Sequence, residues 1–143
     1  MPRIKIDLPD RFSFATEITV YIGHINYGHH LDNALLLSLV SEARVRFFKS
    51  LGYTEMDVEG VGIIVADAAV QYLSEAFHGD VLVFEMAPGD FNKYGCDLIY
   101  RVREKVSGRE VARGKTGILF FDYDRKKPVA VPAGFLAQSR PQQ

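Results

Sequence analysis

One cysteine, Cys96, is all that 143 residues offer for covalent cross-linking. A lone thiol cannot close an internal disulfide, which excludes a secreted disulfide scaffold. Charge of one sign is equally scarce: 17 Lys and Arg stand against 18 Asp and Glu, a formal net charge of −1. Affinity for phosphate backbones needs an excess of cations, so nucleic acid is not an expected partner. No apolar run reaches the length that spans a bilayer, so no membrane partner is expected. The opening MPRIKIDLPD lacks the apolar core of a secretory signal. Internal repeats, charge blocks and low-complexity linkers are missing from the sequence as well. No Gly-rich fingerprint follows a strand, so no nicotinamide cofactor is implied. What is there is ordinary globular material, 48% hydrophobic and 24% charged, too apolar for disorder. These readings predict one domain over residues 1–143, placed in the cytoplasm, with a polar tail from Gln138 to Gln143 that frays.

The order of elements is legible. Phe12 to Ile22 is β-branched and aromatic and stops at Gly23, which predicts a strand. Gly23 to Asp32 is polar, carries Gly23, Gly28 and three of the four histidines, and reads as a loop. Asn33 to Leu51 holds strong helix formers without Pro or Gly. Asp32 or Asn33 can cap its start, and Gly52 follows its end. Leu35, Leu36, Leu39, Val40, Ala43 and Phe47 form a wide apolar arc with Leu37 and Phe48 beyond it, so the helix is expected to be largely buried. Strands are then predicted over Gly62 to Leu73, Asp80 to Ala87, Tyr94 to Val106 and Glu110 to Tyr123. In the third of these, Cys96, Leu98, Tyr100 and Val102 alternate with Asp97, Arg101 and Arg103. Ser107-Gly108 marks the last tight turn. The pattern predicts an α+β fold, an antiparallel five-stranded sheet wrapped around one long central helix. Such a sheet keeps an open edge, so a homodimer or a dimer of dimers is expected.

Three stretches are similar to the hotdog-fold acyl-CoA thioesterases, the 4-hydroxybenzoyl-CoA thioesterase group. In ITVYIGHINYGHHLDNALLLSLVSEAR, residues 18 to 44, His30-Leu31-Asp32-Asn33 stands where that family has His-Val-Asn-Asn, and Glu42-Ala43-Arg44 matches literally. In residues 63 to 85, Tyr72-Leu73 and Gly79-Asp80 resemble Tyr-x-x-Pro-Ala-x-x-Gly-Asp. The hairpin over residues 100 to 132 is the third. There are departures. The family's usual catalytic Asp maps onto Asn26, His29 replaces a Gly, and Ser74-Glu75 stands where Arg-Pro or a similar pair is common. The resemblance implies hydrolysis of an acyl-CoA thioester with no cofactor. It implies a catalytic site drawn from Asn26, His30 and Glu42, and acyl contacts from Tyr27, Asn33, Val65 and Ala66. Coenzyme A phosphates need cations. Lys93 is the first choice, with Arg113, Lys115 and the run Arg125-Lys126-Lys127 as alternatives.

Thioester hydrolysis needs a polarised carbonyl, an aimed water and a group that takes its proton. The free amides and positive end of the helix that starts after Asp32 suit a developing oxyanion, although every helix has such a start. Asn26 can hold the water or the carbonyl, or be a turn residue. It cannot act as a general base, being a neutral amide. His30 is either the base or a loop tie. Glu42 is either a base on the helix or the i,i+4 partner of Arg46. His24, His29, His30 and Asp32 match no recognised ligand spacing, so no metal is expected. Cys96 reads as a small core residue. An enzyme and a non-catalytic acyl-CoA or acyl-thioester binding module both fit, the neutral Asn26 favouring the module. A hotdog hydratase or dehydratase ranks last, because its His and paired acid motif is not found.

Overall fold

The computed structural model describes residues 3–139. Four of the fraying residues expected at the C-terminus, 140–143, lie outside it. Six strands and two α-helices follow one another: β1 (Phe14–Thr19), a 3-10 turn (Ile22–His24), α1 (Asn33–Ser50), β2 (Gly62–Tyr72), β3 (Val81–Gly89), β4 (Gly95–Glu104), β5 (Glu110–Asp122), β6 (Lys127–Pro128) and α2 (Ala133–Gln138). The strands form one antiparallel sheet in the order β1-β3-β4-β5-β2. The two-residue β6 joins β5 at Phe121 and Asp122, past the point where Gly95 of β4 lies opposite Leu119. The expected five-stranded sheet around a long helix is therefore present, with β6 and α2 added. The first strand is shorter than its sequence suggests, because Tyr21 to His24 turn into the loop. β3 runs on through Pro88, which pairs with Leu98 of β4. Its missing N–H costs nothing there, since β1 has already ended opposite Met86.

The sheet curls over α1. Leu36, Leu39, Val40, Ala43, Phe47 and Phe48 of the helix are buried against Leu82, Phe84 and Met86 of β3, Cys96, Leu98, Tyr100 and Val102 of β4, and Ile118 and Phe120 of β5. The predicted alternation of β4 is the inner face of this core. α2 closes one end of it. Its Phe135 is fully buried, with ring centroids 5.1 Å from Phe120 and 5.8 Å from Phe48. The expectation of a largely buried helix needs correction. Only six of its eighteen residues are buried, and Leu37 and Val45 are exposed along one face. Opposite in character to the core, the middle of β2 is exposed from Val65 to Ala68. A register shift between Val65 and Asp67 leaves Ala66 without a partner on β5. β2 is an edge strand, so its other side carries no strand at all among the described residues.

Candidate active site

A cleft of about 390 Å³ opens where the start of α1 meets the end of β2. It is lined by Asn26, His30, Leu31, Asp32, Asn33 and Leu36 on one side and by Tyr72, Leu73, Ser74, Glu75, Ala76 and Val111 on the other. The polar loop before the helix builds one wall. Its backbone is closed on itself, with the Asn26 N–H donating to the His30 carbonyl at 3.0 Å and the His29 N–H to the Asn26 carbonyl at 3.0 Å. This closure holds His29 at a φ of 67°, the left-handed region where glycine is favoured. The Asn26 side chain is fixed by the Gly28 N–H, which donates to Oδ1 at 2.9 Å. The Nδ2 amino group has no partner among the described residues, and it can donate to a ligand.

His30 is oriented in the same way. Its Nδ1 lies 3.2 Å from the Leu31 carbonyl, an acceptor only, so in the neutral imidazole the proton sits on Nδ1 and Nε2 keeps a free lone pair. Space around that atom is tight: a Cβ on Gly28 would lie 3.0 Å from Nε2 and 3.3 Å from the Asn26 oxygen. Asp32 is the helix cap. Its Oδ2 accepts from the amides of Ala34 at 2.9 Å and Leu35 at 3.1 Å, and its carbonyl accepts from Leu36. The expectation of several free amides at the helix start is therefore corrected. An aspartate in the capping position takes them, and among the described residues the Asn33 N–H is the first-turn amide left without an acceptor.

The facing wall is tied to the loop. The Leu31 N–H donates to the Ala76 carbonyl at 2.8 Å, and the Tyr72 hydroxyl donates to the Asn33 carbonyl at 2.8 Å. Desolvation, and after it the charge of Asp32, raises the Tyr72 phenol above its ordinary value, which keeps it a donor. Arg109 braces the segment from behind through the Ser74 hydroxyl at 2.8 Å and the Glu75 carbonyl. The Glu75 carboxylate is left facing His30, with Oε1 3.9 Å from Nε2.

The cleft thus gathers Asn26, His30 and Asn33 and leaves the other candidates outside its lining. Glu42 is exposed and pairs with Arg46 at 2.8 Å, and Arg46 in turn donates to Thr16 and to the Glu17 carbonyl, pinning α1 to β1. Tyr27 is 98% exposed at the loop tip. Val65 and Ala66 lie on the open middle of β2. Lys93 precedes Gly95, which pairs with Leu119 at the far end of β5 from Val111, and its ammonium lies over the Tyr94 ring. Of the alternative cations, Arg113 pairs with Glu110 and Lys115 with Asp97 and Asp67, all within the sheet. Tyr72 and Glu75 are wall residues that sequence reasoning left without a role. Tyr72 belonged to a matching motif and could have been singled out on that signal. Glu75 sits in a link with no periodicity, and only its place among the departures marks it.

The sequence profile of the thioesterase-like superfamily matches residues 20–139, a span that begins at the end of β1 and includes the cleft. No protein of curated function matches the sequence. Solved structures share the fold at low identity. A 1,4-dihydroxy-2-naphthoyl-CoA thioesterase from Synechocystis superposes with a TM-score of 0.79 at 16% identity, over 87% of this chain and 93% of its own. A thioesterase from Thermus thermophilus, complexed with coenzyme A and Zn, gives 0.77 at 19% identity, over 91% and 99%. The BH1999 gentisyl-coenzyme A thioesterase gives 0.78 at 13% identity, over 89% and 100%.

Proposed function

The chain belongs to the thioesterase-like superfamily, and from that membership we propose that it is an acyl-CoA thioesterase. The observation that carries this reading is the meeting, in one partly apolar cleft, of a side-chain donor, a free backbone amide and an imidazole with an available lone pair. The Asn26 amino group and the Asn33 N–H polarise the thioester carbonyl. Water attacks the carbonyl carbon and gives its proton to Nε2 of His30. Collapse of the tetrahedral intermediate breaks the C–S bond, and the proton returns to the departing thiolate. Acyl thioester and water become carboxylic acid and thiol. This scheme assigns the base to His30 and not to Glu42, which lies outside the cleft lining. The activities of the Synechocystis and BH1999 proteins, and the coenzyme A bound to the Thermus protein, support acyl-CoA as the substrate class.

We also propose a homodimer built on β2. An eleven-residue edge strand with an exposed middle is a ready template for pairing. A second copy placed antiparallel across a two-fold axis would satisfy it and cover Leu37 and Val45. Antiparallel pairing reverses one strand against the other. It carries Val65 and Ala66 of one copy toward the Tyr72 end of its neighbour, and brings Lys93 closer to that neighbour's cleft for the coenzyme A phosphates. Two such dimers can pair further. The buried free thiol of Cys96 fits the cytoplasmic setting we propose.

The neutral amide at position 26 favours a second reading, a module that binds acyl thioesters without turnover. Thiol release from short, medium, long and aromatic acyl-CoAs separates the two. Turnover that vanishes in Asn26→Ala supports the hydrolase; binding without release across the panel supports the module. Cys96 does not disturb such an assay. Burial, and then the charge of Asp97, pushes its thiol up to about 12.

A further inference from the structure

We propose that Glu75, on the link between β2 and β3, is a catalytic residue: with His30 it holds the attacking water, and it supplies the carboxylate that position 26 lacks. The inference rests on the hydrolase reading above.

Four observations lead to it. First, the Glu75 carboxylate has no hydrogen-bond donor among the described residues, and its one close polar neighbour there is Nε2 of His30 at 3.9 Å. Second, with the imidazole neutral both atoms are acceptors. Nδ1 of His30 carries the ring proton, because it faces the Leu31 carbonyl at 3.2 Å. Two acceptors at that separation do not bond each other, but one water can donate a hydrogen to each, which is the usual meaning of a polar approach longer than a direct hydrogen bond. Third, the position of Glu75 is fixed rather than accidental. Its own carbonyl accepts from Arg109, the preceding Ser74 hydroxyl also accepts from Arg109, and the following Ala76 carbonyl accepts from Leu31, the residue next to His30. The segment is held by Arg109 on one side and by Leu31 of the loop on the other, so the side chain is delivered to the imidazole. Fourth, among the described residues the only other carboxylate lining the cleft is Asp32, and its Oδ2 is committed to the amides of Ala34 and Leu35.

The chemistry follows from the two acceptors. Water bound between them has one hydrogen directed at Nε2 and the other at Oε1 of Glu75, which leaves an oxygen lone pair for the thioester carbon. Carbon–oxygen bond formation passes the first proton to Nε2. The imidazolium so formed lies beside a carboxylate, which stabilises it until it protonates the sulfur as the C–S bond breaks. The second hydrogen stays with the new carboxylic acid. Glu75 itself begins and ends ionised.

The experiment compares wild type, Glu75→Ala and Glu75→Gln in thiol release from the acyl-CoA panel, with thermal melts to confirm folding. The side chain is 61% exposed and accepts no hydrogen bond among the described residues, so both variants should melt like wild type. The expected result is a kcat lowered about tenfold to a hundredfold in both variants, with KM within about twofold. Added formate should restore part of the rate to Glu75→Ala, where it can occupy the missing carboxylate's place, and should leave wild type unaffected. A residue that merely props the link would show neither the kcat-only loss nor the rescue. Undiminished kcat in Glu75→Ala, or a loss that formate does not touch, overturns the assignment while leaving the hydrolase reading intact. Wild-type protein that releases no thiol from any member of the panel overturns the hydrolase reading, and this inference with it.

Discussion

The Tyr72 hydroxyl, on the last residue of β2, donates a 2.8 Å hydrogen bond to the carbonyl of Asn33, the first residue of α1. One bond thereby joins the two elements that face each other across the cleft. Tyr72→Phe removes the donor and leaves the ring. The loss should cost about 1 kcal/mol of stability, read from urea melts at neutral pH. The same bond gives an alkaline signature. The phenol of the folded protein titrates above its ordinary value of 10.0, so its contribution is complete below that value and fades as the pH climbs through the raised one. Wild type should therefore lose its advantage over Tyr72→Phe only in strong alkali.

Asn26 works in the proposed reaction as a donor through its amino group, while its oxygen accepts from the Gly28 N–H. Two substitutions separate that role from a structural one. Asn26→Ala removes donor and acceptor, and kcat should fall about a hundredfold to a thousandfold. Asn26→Asp keeps the acceptor for Gly28, and so the turn, but replaces the donor with a negative charge beside the carbonyl it should polarise. A comparable fall with an unchanged melting temperature is expected. An Asp variant as fast as wild type would mean that the reaction does not need the Asn26 amino group as a donor.

His29 gives a prediction of opposite sign. Its φ of 67° puts a side chain in left-handed backbone, and the related motif has glycine at this place. The fold supplies the reason for that glycine, because the closure from Asn26 to His30 needs this turn. His29→Gly relieves the strain but loosens the unfolded chain, for a net gain of up to about 1 kcal/mol. Differential scanning calorimetry at neutral pH should show a raised melting temperature, and thiol release should persist, because the His29 side chain is exposed and outside the cleft lining.

Much of this was legible in the residues. α1 announces itself through helix formers between an aspartate cap and Gly52, and β4 through strict alternation from Cys96 to Val102. Those signals are local, and local signals survive in a single sequence. α2 is different. Its six residues are too few for a period, and it is held by Phe135 packing against Phe47, Phe48, Phe91 and Phe120, partners scattered along the chain. The site divides in the same way. Asn26, His30 and Asn33 lie in one short loop and helix start, where a motif can place them together. Glu75 reaches His30 only because Leu31 and Ala76 are bonded across the cleft, a relation that no spacing encodes. The identity of the cap also decided the fate of the helix amides: a carboxylate at position 32 consumes what an uncapped start would have offered.

Glu85, on the outer face of β3, links the sheet's stability to acid. Its carboxylate is approached by Arg101 at 3.0 Å and Arg103 at 2.6 Å and is only 14% exposed. Burial is the largest single influence and would raise the carboxyl. The hydrogen bonds and charges of the two arginines together outweigh it, so the group titrates below its ordinary value of 4.5 in the folded protein. A depressed value in the folded state means that the contribution is complete above the unfolded value and disappears as the pH falls through the folded one. Glu85→Gln keeps the shape and removes the charge, leaving two arginines side by side without their anion. At pH 7 it should be less stable than wild type by about 1 to 2 kcal/mol. Between neutrality and pH of about 5 the gap should hold. Below that it should narrow steadily, as wild type loses the pair and the variant has none to lose. Urea melts of both proteins across this range check the point. Parallel curves down to the lowest pH would mean that Glu85 binds its proton as readily folded as unfolded, and that the arginine pair does not govern its charge.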